Sequence, residues 1–422
     1  MPLNLLPENA SISGDGELYL GGVSAIALAA EFGTPLFIYD EDHLRQRCRE
    51  VVAGFGKGAV YATKAFLCTA MARLAHEEGM RLDVATGGEY HVARAAGVPA
   101  SDLVFHGNNK SRHELGIALA DGVGQVVVDS FDELERIESL VSEGHRPPDA
   151  LIRITPGVEA HTHEFVRTGQ DDSKFGFTVS TGAADEAVSR ARASDAVKLR
   201  GVHAHIGSQV FRADSFAAAV EVITDFARGE QFEEISLGGG LGVAYVEGEQ
   251  APTIGQWVEV VKEAVARSGF EGLVSVEPGR AITAAAAVTL YTAGTVKHLP
   301  GIRTYVAVDG GMSDNPRPVL YGSGYEAFLA RKVAAQRDMT VRLVGKHCET
   351  GDVLVSEGWL PGDLRVDDIV VTPVTGAYGH SMGSNYNKVL RPAVVFVRDG
   401  NVRQVVRREI YDDLLISDLG PE

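Results

Sequence analysis

Cysteine is scarce in this chain. Its 422 residues include only Cys48, Cys68 and Cys348, and no two of them have CxxC spacing. An odd number of cysteines without that spacing argues against a disulfide framework and against a structural zinc site. We therefore expect a protein of a reducing compartment.

Positive charge is also in short supply. The chain has 39 lysines and arginines against 57 aspartates and glutamates, a formal net charge of -18. Nucleic acids and anionic membranes are bound by clustered Lys and Arg, so we expect neither as a partner. Any anion that this protein binds must be held by a few well-placed cations and by backbone amides.

Long apolar segments are missing as well. The uncharged run at residues 281–296, which is rich in Ala and Thr, is too short to span a bilayer. The first residues lack the basic segment and apolar stretch of a secretory signal, so we expect a cytoplasmic location. With 45% hydrophobic residues, the chain is long enough for one large domain or two ordinary ones.

What the sequence does have is an alternation of strand-like and helical segments between residues 35 and 280. The strand-like runs are rich in Val, Ile and Leu without strict alternation, as expected of strands buried on both faces. Eight such strands with intervening helices predict a (β/α)8 TIM-like barrel, although a doubly wound open sheet has the same periodicity. The eight runs are Ala59–Lys64, Arg81–Thr86, Leu103–Gly107, Gln125–Asp129, Ala150–Pro156, Leu199–Gly207, Glu233–Gly240 and Leu273–Gly279. Ser111–Glu114 and Ser130–Glu133 both match the capping box that opens a helix.

The pattern changes after Arg280, where strand-like runs follow one another with few helices between them. Asp399-Gly400 between two Val-rich runs is a strong hairpin signal. We predict a barrel over residues 35–284 and a mostly antiparallel β domain, a sandwich or barrel, over residues 285–422. Residues 1–34 contain the strand candidate Glu17–Leu20 and are expected to join this second domain.

Chemistry in a barrel is located at the carboxyl ends of the strands. Lys64 ends the first predicted strand, where it is either a surface lysine or, if burial lowers its pKa, an amine able to form a Schiff base. Other polar residues at strand ends are His106, Asp129, His205 and Glu277.

Three further features have both a functional and a plain structural interpretation. The turn Gly238–Gly240 is either a tight loop or a set of backbone amides around a phosphate. His203 and His205 share one face of a strand, but no third ligand is indicated, so we expect no metal. We favour an imidazole stacked on a ring, with Ser208 near a phosphate. In Glu277-Pro-Gly-Arg280, a carboxylate could hold a pyridine nitrogen protonated and an arginine could bind a substrate carboxylate; the alternative is a surface salt bridge.

Together these motifs resemble those of the fold-type III pyridoxal-phosphate (PLP) decarboxylases over nearly the whole chain. Phe66 and Thr350 stand where the family commonly has Asn and Ser, and neither change removes a group that the chemistry needs. The matching segments are Tyr61-Ala-Thr-Lys64, Leu82-Asp83 to Glu89, Gly107 to Ser111, His163 to Gly176, His205-Ile-Gly-Ser-Gln209, Gly238–Gly240, Glu277-Pro-Gly-Arg280, Asp309-Gly-Gly-Met312, Cys348-Glu-Thr-Gly-Asp352 and Ser384-Asn-Tyr-Asn387 with Arg391-Pro392.

The resemblance implies a role for each matching residue in holding PLP. Lys64 would carry the cofactor covalently, His205 would stack on its ring, and Glu277 would pair with its ring nitrogen. Tyr378 would contact both cofactor and substrate. The phosphate would be lined by Ser208, Gly239, Gly240, Gly279 and Arg280.

The resemblance also implies the substrate and the assembly. Arg280, Arg317 and Tyr321 would grip a distal carboxylate, Glu349 a distal ammonium group, and Cys348 would donate the proton that replaces CO2. These features imply decarboxylation of meso-2,6-diaminopimelate to L-lysine, the last step of lysine biosynthesis, in a homodimer with shared active sites. The alternatives are a related decarboxylase acting on ornithine, arginine or carboxynorspermidine, and a non-catalytic homologue that binds a partner.

Overall fold

The computed structural model describes residues 3–157 and 171–420. The first half of the predicted motif from His163 to Gly176 lies outside the described residues. The chain divides into two compact units, which are treated separately below. The first comprises Met1–Gln46, Ala244–Gln250 and Ile282–Glu422, and the second comprises Arg47–Val243 and Ala251–Ala281. In these described ranges no helix is both long enough and apolar enough to cross a membrane.

The N-terminal part of the first unit begins with a small antiparallel sheet. Its strands are β1 (Ser11–Ile12), β2 (Leu18–Leu20) and β3 (Val23–Ser24), so the strand expected at Glu17–Leu20 is confirmed. Helix α1 (Ala25–Phe32) starts where the Ser24 hydroxyl accepts from the Ala27 amide. Strand β4 (Leu36–Asp40) and helix α2 (Glu41–Phe55), which leads into the second unit, follow.

The second unit is a barrel of parallel strands. All eight predicted strands are present, and the extra two-residue strand β10 pairs with β9. The bridge between Ala59 and Val276 joins the first strand to the last, so the sheet closes and the open-sheet alternative is wrong. The strands are β5 (Val60–Ala62), β6 (Arg81–Val84), β7 (Leu103–Phe105), β8 (Gln125–Val128), β9 (Asp149–Thr155), β10 (Phe177–Thr178), β11 (Lys198–His203), β12 (Glu234–Ser236) and β13 (Leu273–Ser275).

Helices connect these strands. They are α3 (Thr69–Glu77), α4 (Gly87–Ala95), α5 (Arg112–Asp121), α6 (Phe131–Ser142), α7 (Ala183–Ala193), α8 (Ala213–Ala227), α9 (Ile254–Ser268) and α10 (Arg280–Thr283). The capping box of Ser111 and Glu114 at α5 is confirmed. At α6 only half of the predicted box forms. The Ser130 hydroxyl accepts from the Glu133 amide, but the Glu133 carboxylate turns instead to the Asp129 amide and to buried Lys110.

The C-terminal part of the first unit forms a sheet that also includes β4. The predicted mostly antiparallel domain is confirmed, with two parallel pairs in it, β4 with β20 and β15 with β17. Its elements are β14 (Ala287–Leu299), β15 (Arg303–Val308), α11 (Arg317–Tyr321), β16 (Phe328–Leu329), β17 (Met339–Val344), β18 (Val353–Leu360), β19 (Ile369–Pro373), β20 (Ala393–Arg398) and β21 (Asn401–Val406). Asp399 and Gly400 both have positive φ in the turn between β20 and β21, as a type I′ hairpin requires.

A hydrophobic core lies against one face of this sheet. It packs strand residues such as Ile38, Leu290 and Val395 against Leu28 of α1. Each of these side chains is almost fully buried. At about 25 cal/mol per Å2 of apolar surface, such burial is what holds the N-terminal segment to the C-terminal strands.

Candidate functional site

The carboxyl-terminal end of the barrel gathers polar and charged side chains from most of its strands. Because the strands are parallel and the sheet is closed, these residues meet around one opening. They are Lys64 after β5, Asp83 in β6, His106 after β7, Asp129 after β8, Arg153 in β9, His203 in β11 and Glu277 after β13.

Lys64 lies at the mouth of this opening. Its amine is 3.8 Å from an oxygen of Asp83, and its side chain is 53% exposed. The burial considered from the sequence is therefore not observed for Lys64, which follows the end of β5. An accessible amine beside a carboxylate remains suited to bind a carbonyl group covalently.

Glu277 is buried and surrounded by hydrogen-bond donors. His203 Nε2 donates to Oε2 at 3.1 Å, the Ser236 hydroxyl donates to Oε1 at 3.0 Å, and His106 Nε2 lies 3.2 Å from Oε1. Burial raises the pKa of Glu277, but the two imidazoles outweigh burial and bring that pKa well below its ordinary value. Glu277 is thus a carboxylate anion at neutral pH, although it is only 7% exposed.

His205 lies near the amine of Lys64 and the glycine turn. Burial, with the positive charges of Lys64 and Arg153, lowers the pKa of His205 well below its ordinary value. Its Nδ1 accepts from the Gly239 amide at 3.2 Å, which fixes the plane of the ring. The result is a neutral, flat imidazole at neutral pH, as stacking on a cofactor ring requires.

The loops after β11, β12 and β13 form a small polar cradle. Nη2 of Arg280 donates to the Ser208 hydroxyl at 3.0 Å. A Cβ at Gly240 would lie 2.2 Å from the Gly207 carbonyl oxygen, and one at Gly239 would lie 2.2 Å from that of Glu277. Only glycine therefore allows the three loops to approach so closely. A guanidinium, a hydroxyl and a glycine turn together suit a phosphate group.

The remaining predicted site residues lie in the first unit. Arg317 and Tyr321 belong to α11, Cys348 and Glu349 are exposed in the loop between β17 and β18, and Tyr378 follows β19 with a φ of 60°. The barrel thus brings together one part of the predicted set, and the other part lies in the first unit.

Arg317 is buried among aromatic rings. Its guanidinium stacks on the Tyr245 ring at 4.1 Å, and its Nη1 donates to the Tyr325 hydroxyl at 2.6 Å. Among the residues that the structure describes, no carboxylate is within ion-pair distance of it. Since a buried arginine is rare without a partner anion, this geometry fits the binding of a carboxylate.

The chain is similar to known proteins over nearly its whole length. A family model described as the pyridoxal-dependent decarboxylase, pyridoxal binding domain, matches residues 41–284. Two curated relatives named diaminopimelate decarboxylase, from Mycobacterium tuberculosis and Bacillus subtilis, are 46% and 45% identical to this chain. The alignments cover 98% and 96% of this chain and 97% and 95% of theirs. A crystal structure described as diaminopimelate decarboxylase from M. jannaschii in co-complex with L-lysine has a TM-score of 0.91 at 31% identity, with 98% of each chain covered.

This chain belongs to the pyridoxal-dependent decarboxylase family. The barrel end fits the cofactor of that family: an amine at Lys64, an anionic carboxylate at Glu277 for a protonated ring nitrogen, and the cradle of Ser208, Gly240 and Arg280 for the phosphate. The roles of the individual residues stay predictions.

Several residues of this decarboxylase site did not emerge as site residues from the sequence. Arg153 is buried, lies 3.6 Å from Asp129 through Nη1, and stacks on the Phe175 ring at 4.2 Å. The sequence does offer a signal for Arg153, because it is a charged residue inside the apolar run Ala150–Thr155. Nothing in the sequence marks Tyr245 and Tyr325 as site residues, because their contacts with Arg317 depend on the folded chain.

His106, His203 and Glu277 also have the composition of a metal site, with ligand atoms within 4.8 Å of one another. In this decarboxylase the carboxylate already accepts a hydrogen bond from His203, and His106 Nε2 lies 3.2 Å from its other oxygen. The expectation of no metal stays a prediction.

Proposed function

We propose that this protein uses pyridoxal phosphate to decarboxylate meso-2,6-diaminopimelate at its D-centre, giving L-lysine and CO2 in the last step of lysine biosynthesis. The buried guanidinium of Arg317 carries this proposal, because a substrate with a second carboxylate supplies the anion that it needs. The names of the near-full-length relatives support the same substrate.

We assign the cofactor chemistry to the barrel. Bound pyridoxal phosphate supplies a ring that takes up the negative charge left on the substrate carbon when CO2 departs. Lys64 holds the cofactor, His205 packs on its ring, and Glu277 keeps a proton on the ring nitrogen. Ser208, Gly239, Gly240, Gly279 and Arg280 bind the phosphate.

The substrate chemistry is assigned mainly to the first unit. Arg317 and Tyr321, with Arg280, bind the distal carboxylate, and Glu349 binds the distal ammonium group. Tyr378 contacts both cofactor and substrate. Cys348 donates a proton to the substrate carbon after CO2 has left, and its exposed thiol can approach a second chain.

We further propose a cytoplasmic homodimer in which Cys348 and Glu349 of one subunit complete the site at Lys64 of the other. A two-fold arrangement then gives two shared sites. In the same proposal residues 35–284 are the cofactor-binding domain, apart from β4 (Leu36–Asp40), which pairs with β14 and β20 of the β domain that residues 1–34 and 285–422 form.

A comparison of turnover on different amino acids tests the proposed function. The purified protein with pyridoxal phosphate is given meso-diaminopimelate, its LL-isomer, ornithine, lysine, arginine or carboxynorspermidine, and released CO2 and L-lysine are measured. We expect turnover of the meso isomer alone at an appreciable rate. A kcat/KM for any of the other amines that equals or exceeds that for meso-diaminopimelate would refute the proposal.

A further inference from the structure

A line of charged and ionisable groups crosses the carboxyl-terminal end of the barrel. The amine of Lys64 lies 3.8 Å from Oδ2 of Asp83, and Oδ1 of Asp83 lies 3.8 Å from Nε2 of His106. The same nitrogen of His106 is 3.2 Å from Oε1 of Glu277. His106 therefore stands between the carboxylate beside Lys64 and the carboxylate assigned to the ring nitrogen.

Both ends of the contact between His106 and Glu277 are shielded from water. His106 is 6% exposed and Glu277 is 7% exposed. A carboxylate so deeply buried stays ionised only where protein groups replace the lost hydration. For Glu277 these groups are His106, His203 and Ser236, each from a different part of the barrel.

We propose that His106 is a positioning residue for the decarboxylation proposed above, which fixes the Glu277 carboxylate and keeps it ionised so that it can hold a proton on the cofactor ring nitrogen. His203 holds the other oxygen of the same carboxylate. His106 differs from His203 because it also contacts Asp83, and so it connects Glu277 to the charge next to Lys64. The inference rests on the proposed function.

Other groups face the same carboxylate. Arg153 interacts electrostatically with Glu277, as His205 does when it is protonated, and Asp83 lies on the far side of His106. Arg153 favours the anion and Asp83 opposes it. Loss of the His106 imidazole leaves these charges in place but removes one donor, so it raises the pKa of Glu277.

The test compares holoenzyme variants His106→Leu and His106→Gln, with His113→Gln on the exposed side of α5 as the control. Leucine removes the donor, whereas the glutamine amide reaches about as far as Nε2. In His106→Leu we expect kcat at neutral pH to fall roughly ten- to a hundredfold, with little change in KM. The acid limb of kcat should move up by about one pH unit or more. In His106→Gln, most of the kcat should be restored and most of the shift in the acid limb should disappear. His113→Gln should match the wild type in both.

A second readout needs no substrate. The absorbance of the bound cofactor is titrated with pH in each holoenzyme, and the His106→Leu transition should lie at higher pH than that of the wild type. Coincident transitions and acid limbs in protein with full cofactor content would overturn the inference, as would equal defects in the Leu and Gln variants. If the Leu variant does not fold, His106→Asn takes its place, because its shorter amide does not reach Glu277. Wild-type protein inactive on meso-diaminopimelate would refute the proposed function, while the absorbance titration would still decide the role of His106.

Discussion

The guanidinium carbon of Arg317 lies 4.1 Å from the centre of the Tyr245 ring. This stacking fixes the plane of the guanidinium, and the hydrogen bond to Tyr325 fixes its rotation within that plane. A planar fork held in this way has N–H groups left for a bidentate bond to a carboxylate.

Arg317→Ala should therefore impair diaminopimelate decarboxylation without creating good activity on lysine or ornithine. Leaving a buried substrate carboxylate unpaired costs about 2–5 kcal/mol, or roughly a thirty- to several-thousand-fold loss in kcat/KM. Tyr325→Phe removes one hydrogen bond to the same guanidinium and should cost only about two- to tenfold. A fall of less than fivefold in Arg317→Ala would mean that Arg317 does not bind the substrate.

Lys64→Ala should abolish both turnover and the absorbance of covalently bound cofactor. Lys110 and Lys174 are the other candidate lysines in matching motifs, and Lys110 is fully engaged, with its amine 2.7–2.8 Å from Glu133 and from the carbonyls of Gly107 and Val127. Lys174→Ala, at an exposed position, is the control and should behave as wild type. A borohydride-reducible adduct that persists in Lys64→Ala would transfer the assignment to another lysine.

The buried pair of Lys110 and Glu133 gives a prediction about stability. Lys110→Met should lower the free energy of unfolding by about 3–5 kcal/mol, because Glu133 is left buried without its counter-charge. The double replacement with Glu133→Leu should recover part of this loss, although the Glu133 bond to the Asp129 amide is then also lost. Urea unfolding checks both values. A loss below about 1 kcal/mol in the single variant would show that the pair matters little.

Cys348→Ala should leave cofactor binding intact and slow turnover, since the thiol acts after the cofactor is in place. Proton donation by a positioned side chain contributes roughly 10²- to 10⁴-fold to a rate. Thr350→Ala, two residues away in the same exposed loop, is the matched control. Cofactor absorbance and kcat are measured together, and an unchanged kcat would show that water or another residue supplies the proton.

Mixed dimers test the shared site. Lys64→Ala and Cys348→Ala homodimers carry a defect in both sites, whereas a mixed dimer collects both defects in one site and leaves the other intact. Dissociating equal amounts together and reassembling them should give about a quarter of the wild-type sites. With subunit exchange verified by tagged chains, activity no higher than the average of the two variants would place Cys348 and Lys64 in sites of a single chain.

The sequence predicts the barrel well because its strands are continuous apolar runs bounded by polar residues and turns. All eight runs are strands, and β5 stops at Ala62, two residues ahead of Lys64. After Arg280 the sequence predicts strands at Val288–Val296, Thr304–Asp309, Val341–Val344, Asp368–Val374 and Pro392–Val397. Strand β18 is not among them, because Ser356, Glu357 and Gly358 interrupt its apolar pattern. The segment forms a strand because it pairs with β17, an interaction that its local sequence does not reveal.

The candidate site likewise has residues that the sequence predicts and contacts that it does not. Motif matching is sufficient to nominate Lys64 and Glu277, because each follows a recognisable strand. The support for Glu277 from His106 and Ser236 depends on strand order and on closure, which no single segment contains. Likewise, the capping box at Ser130 forms only in part because the Glu133 carboxylate pairs with Lys110, which lies in the loop between β7 and α5.

Closure of the barrel through Ala59 and Val276 has a consequence for the newly made chain. Lys64 follows one of the first barrel strands to be synthesised, whereas Glu277 and Arg280 follow the last, and the closed sheet makes these strands neighbours. During translation the growing polypeptide therefore exposes Lys64 long before Glu277 and Arg280 have left the ribosome. If these residues hold the cofactor as we propose, firm capture waits until β13 has docked against β5, and loading with the cofactor is a late event in the biogenesis of this protein.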